Sequence, residues 1–231
     1  MLELFPEGFE EDDRGEDVQL AAYTGADGER RLREAFADVS SEPVADDWQD
    51  RWRSFHRPVR VGPLWVGPPW EPTPEDALAV VIDPGRAFGT GAHPTTRLSL
   101  ELLLELEPGS LLDVGCGSGV LAIAGAKLGF APVHAFDVDE TAVEAAHANA
   151  ERNSVAVQAG LADALTAVLP TADVAVANIA LDVVEAVVPR LEAGVVVTSG
   201  YLDSQRPALA AFEHAGHRAQ DGWAADLFRA K

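Results

Sequence analysis

The stretch LLDVGCGSGVLAIAGAKLG, residues 111–129, joins an apolar run to a helical one through three glycines, Gly115, Gly117 and Gly119. A glycine-rich turn between a strand and a helix lets a ligand approach the backbone closely and offers it free N–H groups at a helix N-terminus. A dinucleotide fingerprint wants G-x-G-x-x-G, but Val120 stands where the third glycine would fall, and the G-K-[ST] of a phosphate loop is missing. Asp113 precedes the turn by two residues. A carboxylate there would repel a pyrophosphate and attract the cationic amino group of a methionine moiety. G-x-G-x-G with a leading acid therefore points to S-adenosylmethionine.

Further polar residues follow at spacings that suit the same ligand. Asp137, in HAFDVDE, lies 22 residues after Gly115, where a carboxylate reaches the hydroxyls of a bound ribose. Asp139 reads as the N-cap of the next helix. Asp163, in AGLADAL, is either an acceptor for the adenine amino group or a plain loop acid. Asn178 ends an apolar strand in ANIALD, at the tip where α/β sheets bind ligands, and is a candidate for holding the cofactor or the acceptor nitrogen. Upstream, AFGTGAHPTT (87–96) packs Gly89, Gly91, His93 and three threonines into a segment that precedes the glycine strand by one helix. That position suits a lid over the crevice better than a phosphate cradle. His93 is a conceivable general base, with a loop-fixing hydrogen bonder as the plainer reading.

These residues need a scaffold of alternating strands and helices. Helices are expected at 94–106, 118–128, 140–152, 181–191 and 203–214, and strands at 110–114, 132–136, 155–159, 172–178 and 194–200. The tail after residue 214 reads as two short strands joined by a turn at Asp221 and Gly222. Strands that are continuous apolar runs are buried on both faces, so the fold class is α/β, a doubly wound and mostly parallel sheet. Three regions divide the chain. Residues 1–46 are an acidic α+β segment with a strand at 18–23 and a helix at 29–37. Residues 47–80 carry Trp48, Trp52 and Phe55 on one helical face, then a Pro-rich extended connector. Residues 81–231 are the α/β domain.

The bulk numbers exclude other classes. The 231 residues carry a formal net charge of −21, which argues against binding nucleic acid or an anionic membrane and favours a basic partner. One cysteine, Cys116, excludes a disulfide framework and a cysteine-based zinc site, and no metal ligands are assigned. The acidic N-terminus lacks a signal-peptide pattern and no apolar run reaches membrane-spanning length, so a cytoplasmic protein is expected.

FHRPVRVGPLWVGPPW, IDPGRAFGTGAHPTTRLSLELL, DVGCGSGVLAIAGAKLG and VANIALDVV together resemble the ribosomal protein L11 methyltransferases of PrmA type. The resemblance covers about residues 48–231, and the FGTGxHxTT loop is its most specific part. It implies a seven-stranded, Rossmann-like class I methyltransferase domain that uses S-adenosylmethionine to methylate amino groups, lysine side chains and the N-terminal α-amine, of ribosomal protein L11. It places cofactor contacts at Thr96, Gly115, Asp137 and Asn178, and matches Phe88, Gly89, Thr90, Gly91 and His93 to the family loop. The family carries an N-terminal recognition domain of βαββαβ form, and the 46 residues before the linker are expected to hold only part of it. Whether the target is L11, free or on the large subunit, or another protein lysine or small amine stays open here, as does a non-catalytic S-adenosylmethionine-binding role.

Overall fold

The computed structural model describes residues 10–13, 18–21, 26–36, 39–41, 57–83 and 91–231. The chain divides into two units, Met1–Asp50 and Arg51–Lys231.

In the first unit, β1 (Glu10–Asp13) pairs antiparallel with β2 (Val18–Ala21), and α1 (Ala26–Ala35) follows. The acid run EEDD is a strand that apolar patterning does not reveal. On α1, Arg33 reaches back one turn to the carboxylate of Glu29 at 2.8 Å, and Ser41 donates to the same carboxylate. The helix expected around Trp48, Trp52 and Phe55 lies outside the described residues.

In the second unit the expected Pro-rich connector is a small sheet. Strands β3 (Val59–Val61), β4 (Leu64–Gly67) and β5 (Leu78–Val81) pair antiparallel and then parallel. Gly62 and Pro63 make the tight turn between the first two, and the apolar run Leu64, Trp65, Val66 is buried. The prolines punctuate these strands at their ends, where no ladder N–H is needed. β5 is held on its other side by side chains. Asn153 both accepts from Val81 N (2.8 Å) and donates to Val81 O (2.7 Å), and Asn149 accepts from Asp83 N at 3.0 Å.

The main sheet has the order β11-β12-β10-β9-β6-β7-β8. Its parallel part consists of β6 (Leu111–Val114), β7 (Val133–Asp137), β8 (Gln158–Leu161), β9 (Ala172–Asn178) and β10 (Ala193–Leu202). β11 (Phe212–Gln220) and β12 (Trp223–Ala230) close it as an antiparallel edge. Among the described residues the unit also holds helices α2 (Pro94–Leu103), α3 (Val120–Lys127), α4 (Glu140–Arg152) and α5 (Leu181–Val187), the last continued by a short 3-10 turn at Val188–Arg190.

Strand periodicity sorts the core into two layers. On β9, Val174 and Val176 belong to the cluster containing Leu98, Leu102 and Ile123, whereas Ala175 and Ala177 belong to the cluster containing Val184, Val187 and Phe228. Both faces are covered, which explains the unbroken apolar runs.

Two further expectations need correction. The helix expected at 203–214 is absent: the segment from Asp203 turns and runs irregularly, and Phe212 already begins β11, paired with Ala230. Pro207 denies a helix one of its hydrogen bonds, and pairing with β12 satisfies the backbone from Phe212 onward. The strand expected at 155–159 begins at Gln158 instead, because Val155 and Val157 serve as packing residues after α4.

A cleft at the strand-order reversal

From β6 the chain steps one way to β7 and β8, then crosses back to β9 on the other side of β6. Open α/β sheets bind ligands at such a reversal, beyond the carboxyl ends of the strands. A cleft of about 780 Å³ opens there, a size suited to a nucleoside-sized ligand.

The glycine turn forms its floor. Gly115 is left-handed (φ +72°), and a Cβ on it would stand 2.4 Å from Ile179 Cγ2. Gly119 is left-handed as well and caps α3, where a Cβ would meet Ala146 of α4 at 3.0 Å. These two positions need glycine for backbone shape and close packing. The amides of Gly115 and Cys116 both donate to Phe136 O, tying the turn to the end of β7.

Asp137, the last residue of β7, holds the turn from the side. Its Oδ2 accepts from Gly117 N at 2.9 Å and its Oδ1 from Asp139 N at 3.1 Å. Asp139 caps α4 through Thr141 N, as its position predicts. Asp113 is buried at the cleft wall, where its Oδ2 accepts from Ala122 N at 3.0 Å. Burial, aided by the negative charge of Asp137, pushes its carboxyl up to about 7. A carboxyl poised in this way suits a cationic ligand group, which would favour its ionised form. Cys116 beside it is pushed upward by burial and is no nucleophile.

On the other side, Asn178 Nδ2 donates to Thr96 Oγ1 across 3.5 Å, joining the tip of β9 to the first turn of α2. His93 is the N-cap of α2. Its Nδ1 accepts from Thr95 N at 3.4 Å and lies 2.7 Å from Thr95 Oγ1. Its ring meets Trp223 edge-on at 4.8 Å, and burial with the nearby Arg97 cation lowers its pKa. Asp163 closes a short turn by accepting from Leu165 N at 2.9 Å.

The cleft thus brings together His93, Thr96, Asp113, Gly115, Gly117, Asp137, Asp163 and Asn178. Gly119 caps α3 and Gly91 packs on Val66, so neither lines it. Phe88, Gly89 and Thr90 lie outside the described residues. Sequence reasoning missed Val138 and Trp223, which also line the cleft. Their signals were an apolar residue directly after Asp137 and an aromatic directly after the Asp221-Gly222 turn.

The model of the family described as Ribosomal protein L11 methyltransferase (PrmA) matches residues 10–230. The chain belongs to that family. The ribosomal protein L11 methyltransferase of Aliivibrio fischeri (strain MJ11) is 41% identical over 199 residues, 79% of this chain and 66% of the relative. That of Dechloromonas aromatica (strain RCB) is 44% identical over 198 residues, with 78% and 66% covered. The chain therefore spans just under two thirds of the length of these two curated relatives. The solved ribosomal protein L11 methylase of Lactobacillus delbrueckii subsp. bulgaricus superposes with a TM-score of 0.68 at 29% identity, covering 76% of this chain and all of that one. The family assignment agrees with the seven-stranded, mostly parallel sheet and with the site at its strand-order reversal.

Proposed function

We propose that this chain is an S-adenosylmethionine-dependent protein N-methyltransferase acting on amino groups of ribosomal protein L11, on lysine side chains, the N-terminal amine or both. The observation that carries the reading is the pair of carboxylates flanking the glycine turn, Asp113 buried at the wall and Asp137 bonded to Gly117 N. Family membership supports the L11 substrate, and the net charge of −21 suits a basic protein partner. A tRNA methyltransferase from Pyrococcus abyssi was solved with S-adenosyl-L-homocysteine; at 19% identity it supports only a common fold.

The donor set fits the cofactor. Asp137 would take the ribose hydroxyls while still holding Gly117 N, and Asp113 would face the methionine ammonium. Asp163 would accept from the adenine amino group, with Thr96 and the glycine turn completing the contacts. S-adenosylmethionine supplies a methyl group on a sulfonium, already a good leaving group. The protein then mainly contributes alignment, a term worth roughly 7–11 kcal/mol at best.

The acceptor amine must be neutral. Deprotonating a lysine of ordinary pKa at pH 7 costs about 4–5 kcal/mol, and an α-amine about 1 kcal/mol. With Nδ2 of Asn178 turned to Thr96, its Oδ1 is the acceptor that would take an amine N–H and aim the lone pair. His93 Nδ1 is engaged in capping α2, which favours a role in fixing the loop and the acceptor side of the cleft. Incubation of the chain with purified L11 and methyl-labelled cofactor tests the proposal: label on L11 supports it, and cofactor binding with L11 left unlabelled overturns the L11 substrate.

A further inference from the structure

The outer strand pair carries a cluster that the methyl-transfer reading leaves unused. His214 and His217 lie three apart on β11, and in an unbroken strand such residues face opposite sides. The β11–β12 ladder shifts register between them: His214 pairs with Phe228 and Gly216 with Leu227, so Ala215 has no partner. This bulge turns both imidazoles to one side. Asp226 sits on that side, directly opposite His217.

The three side chains converge on one point. His214 Nε2 lies 2.6 Å and His217 Nδ1 2.9 Å from the same oxygen, Asp226 Oδ1. Asp226 is fully buried, while the two rings keep about one third of their surface (33% and 30%) open to solvent. Each of two converging groups also has an outer partner. Tyr201 OH donates to Asp226 Oδ2 at 2.9 Å, which fixes Oδ1 toward the histidines. Asp203 Oδ1 lies 3.2 Å from His217 Nε2, the nitrogen that does not face the cluster. Metal-binding histidines characteristically give their second ring nitrogen to a carboxylate in this way.

We propose that His214, His217 and Asp226 form a Zn²⁺-binding site, with Asp203 and Tyr201 orienting the ligands and solvent completing the coordination. Two imidazoles and one carboxylate are the donor set of an open zinc site. Bonds of 2.0–2.2 Å in tetrahedral geometry would separate the donor atoms by about 3.3 Å, whereas the three donors now lie within 4.8 Å of one another, so the partly exposed rings must swing away from Asp226 Oδ1 and toward each other to close on an ion. The ring nitrogens must present lone pairs to the ion, with each ring N–H carried on the outer nitrogen, which on His217 faces Asp203. Arg206 Nε, 3.8 Å from Asp226 Oδ1 on a half-exposed side chain, opposes a dication and must swing aside. The bound ion would clamp β11 to β12, whose first residue, Trp223, lines the cleft.

The test is calorimetric titration of Zn²⁺ into the untagged, chelator-stripped chain, with Co²⁺ absorption reporting tetrahedral geometry. One ion per chain is expected, and His214→Gln/His217→Gln should lose at least about 100-fold in affinity while His134→Gln/His147→Gln keeps it. Two surface variants carry the test if the double histidine variant fails to fold. Arg206→Ala should tighten binding, and Asp203→Asn should weaken it by roughly 10- to 100-fold. Absence of Zn²⁺ uptake by the wild-type chain, uptake undiminished in the double histidine variant, or affinity unmoved by both surface variants overturns the proposal.

Discussion

The carboxylate of Asp137 holds the amide of Gly117 at 2.9 Å, so the acid that ends β7 also sets the shape of the turn after β6. The carboxylate proposed to take the ribose hydroxyls and the glycine floor are one hydrogen-bonded unit. Asp137→Ala removes a charged acceptor and loosens the turn together. Bonds to charged groups contribute about 1.5–3 kcal/mol each, so cofactor affinity measured by calorimetry should fall by at least about 10-fold. Unchanged affinity would remove Asp137 from the site.

Asp113 gives the site a pH dependence. Its carboxyl is raised by burial to about 7 from an ordinary 3.8. Between these values the unfolded chain has lost the proton and the folded chain keeps it, so stability falls as pH rises across this window and stays lower above it. Asp113→Asn should therefore melt higher than wild type at about pH 8, with the advantage vanishing near pH 4, because the neutral amide escapes the cost of burying a charge. Cofactor affinity should move the other way. It should rise with pH toward about 7 in the wild type, as the ionised carboxylate meets the ligand ammonium, and this rise should flatten in Asp113→Asn. A wild-type binding curve flat across this range contradicts the placement of the ammonium.

His93 caps α2 through Nδ1. Losing an N-cap costs about 1 kcal/mol, so His93→Ala should lower the melting temperature by roughly 2–4 °C. His93→Asn, which can cap, should recover most of it. The pH profile of turnover should keep its shape in both. Loss of an ionisation from that profile, unrelieved in His93→Asn, would make His93 the base.

Asn178 joins Thr96 at 3.5 Å and faces the cleft. Asn178→Ala should lower kcat by roughly 10²-fold or more with a small change in cofactor affinity, if its oxygen aligns the amine in the transition state. Thr96→Val, which keeps the shape and removes the hydroxyl that orients the amide, should show a weaker form of the same split. Equal losses in affinity and rate would make Asn178 a cofactor contact only.

Much of this architecture was readable because it is local. The β6 turn and α3 follow from glycines with left-handed geometry at short spacing, and the distance to Asp137 is set by one helix and one strand. The buried parallel strands announce themselves as apolar runs. The small sheet β3–β5 was hidden by prolines, which mark its strand ends but read as an extended connector. The 203–214 segment misled because Leu209 and Phe212, three apart, are both buried and suit a helix face as well as this run into an edge strand. What decides that case is the ladder to β12, a non-local contact that periodicity cannot see. Trp223 entered the cleft by the same route, since only the hairpin brings it beside His93. The bulge at Ala215 is likewise a property of strand pairing, so the convergence of His214, His217 and Asp226 has no counterpart in sequence spacing.

The central claim is methyl transfer from S-adenosylmethionine to ribosomal protein L11, and mass spectrometry after incubation with labelled cofactor and hypomethylated ribosomes tests it most directly. The account predicts label on lysine or α-amino nitrogen of L11, reduced by at least about 10-fold in Asp137→Ala at low cofactor concentration. Tight cofactor binding with no label on L11 would contradict it.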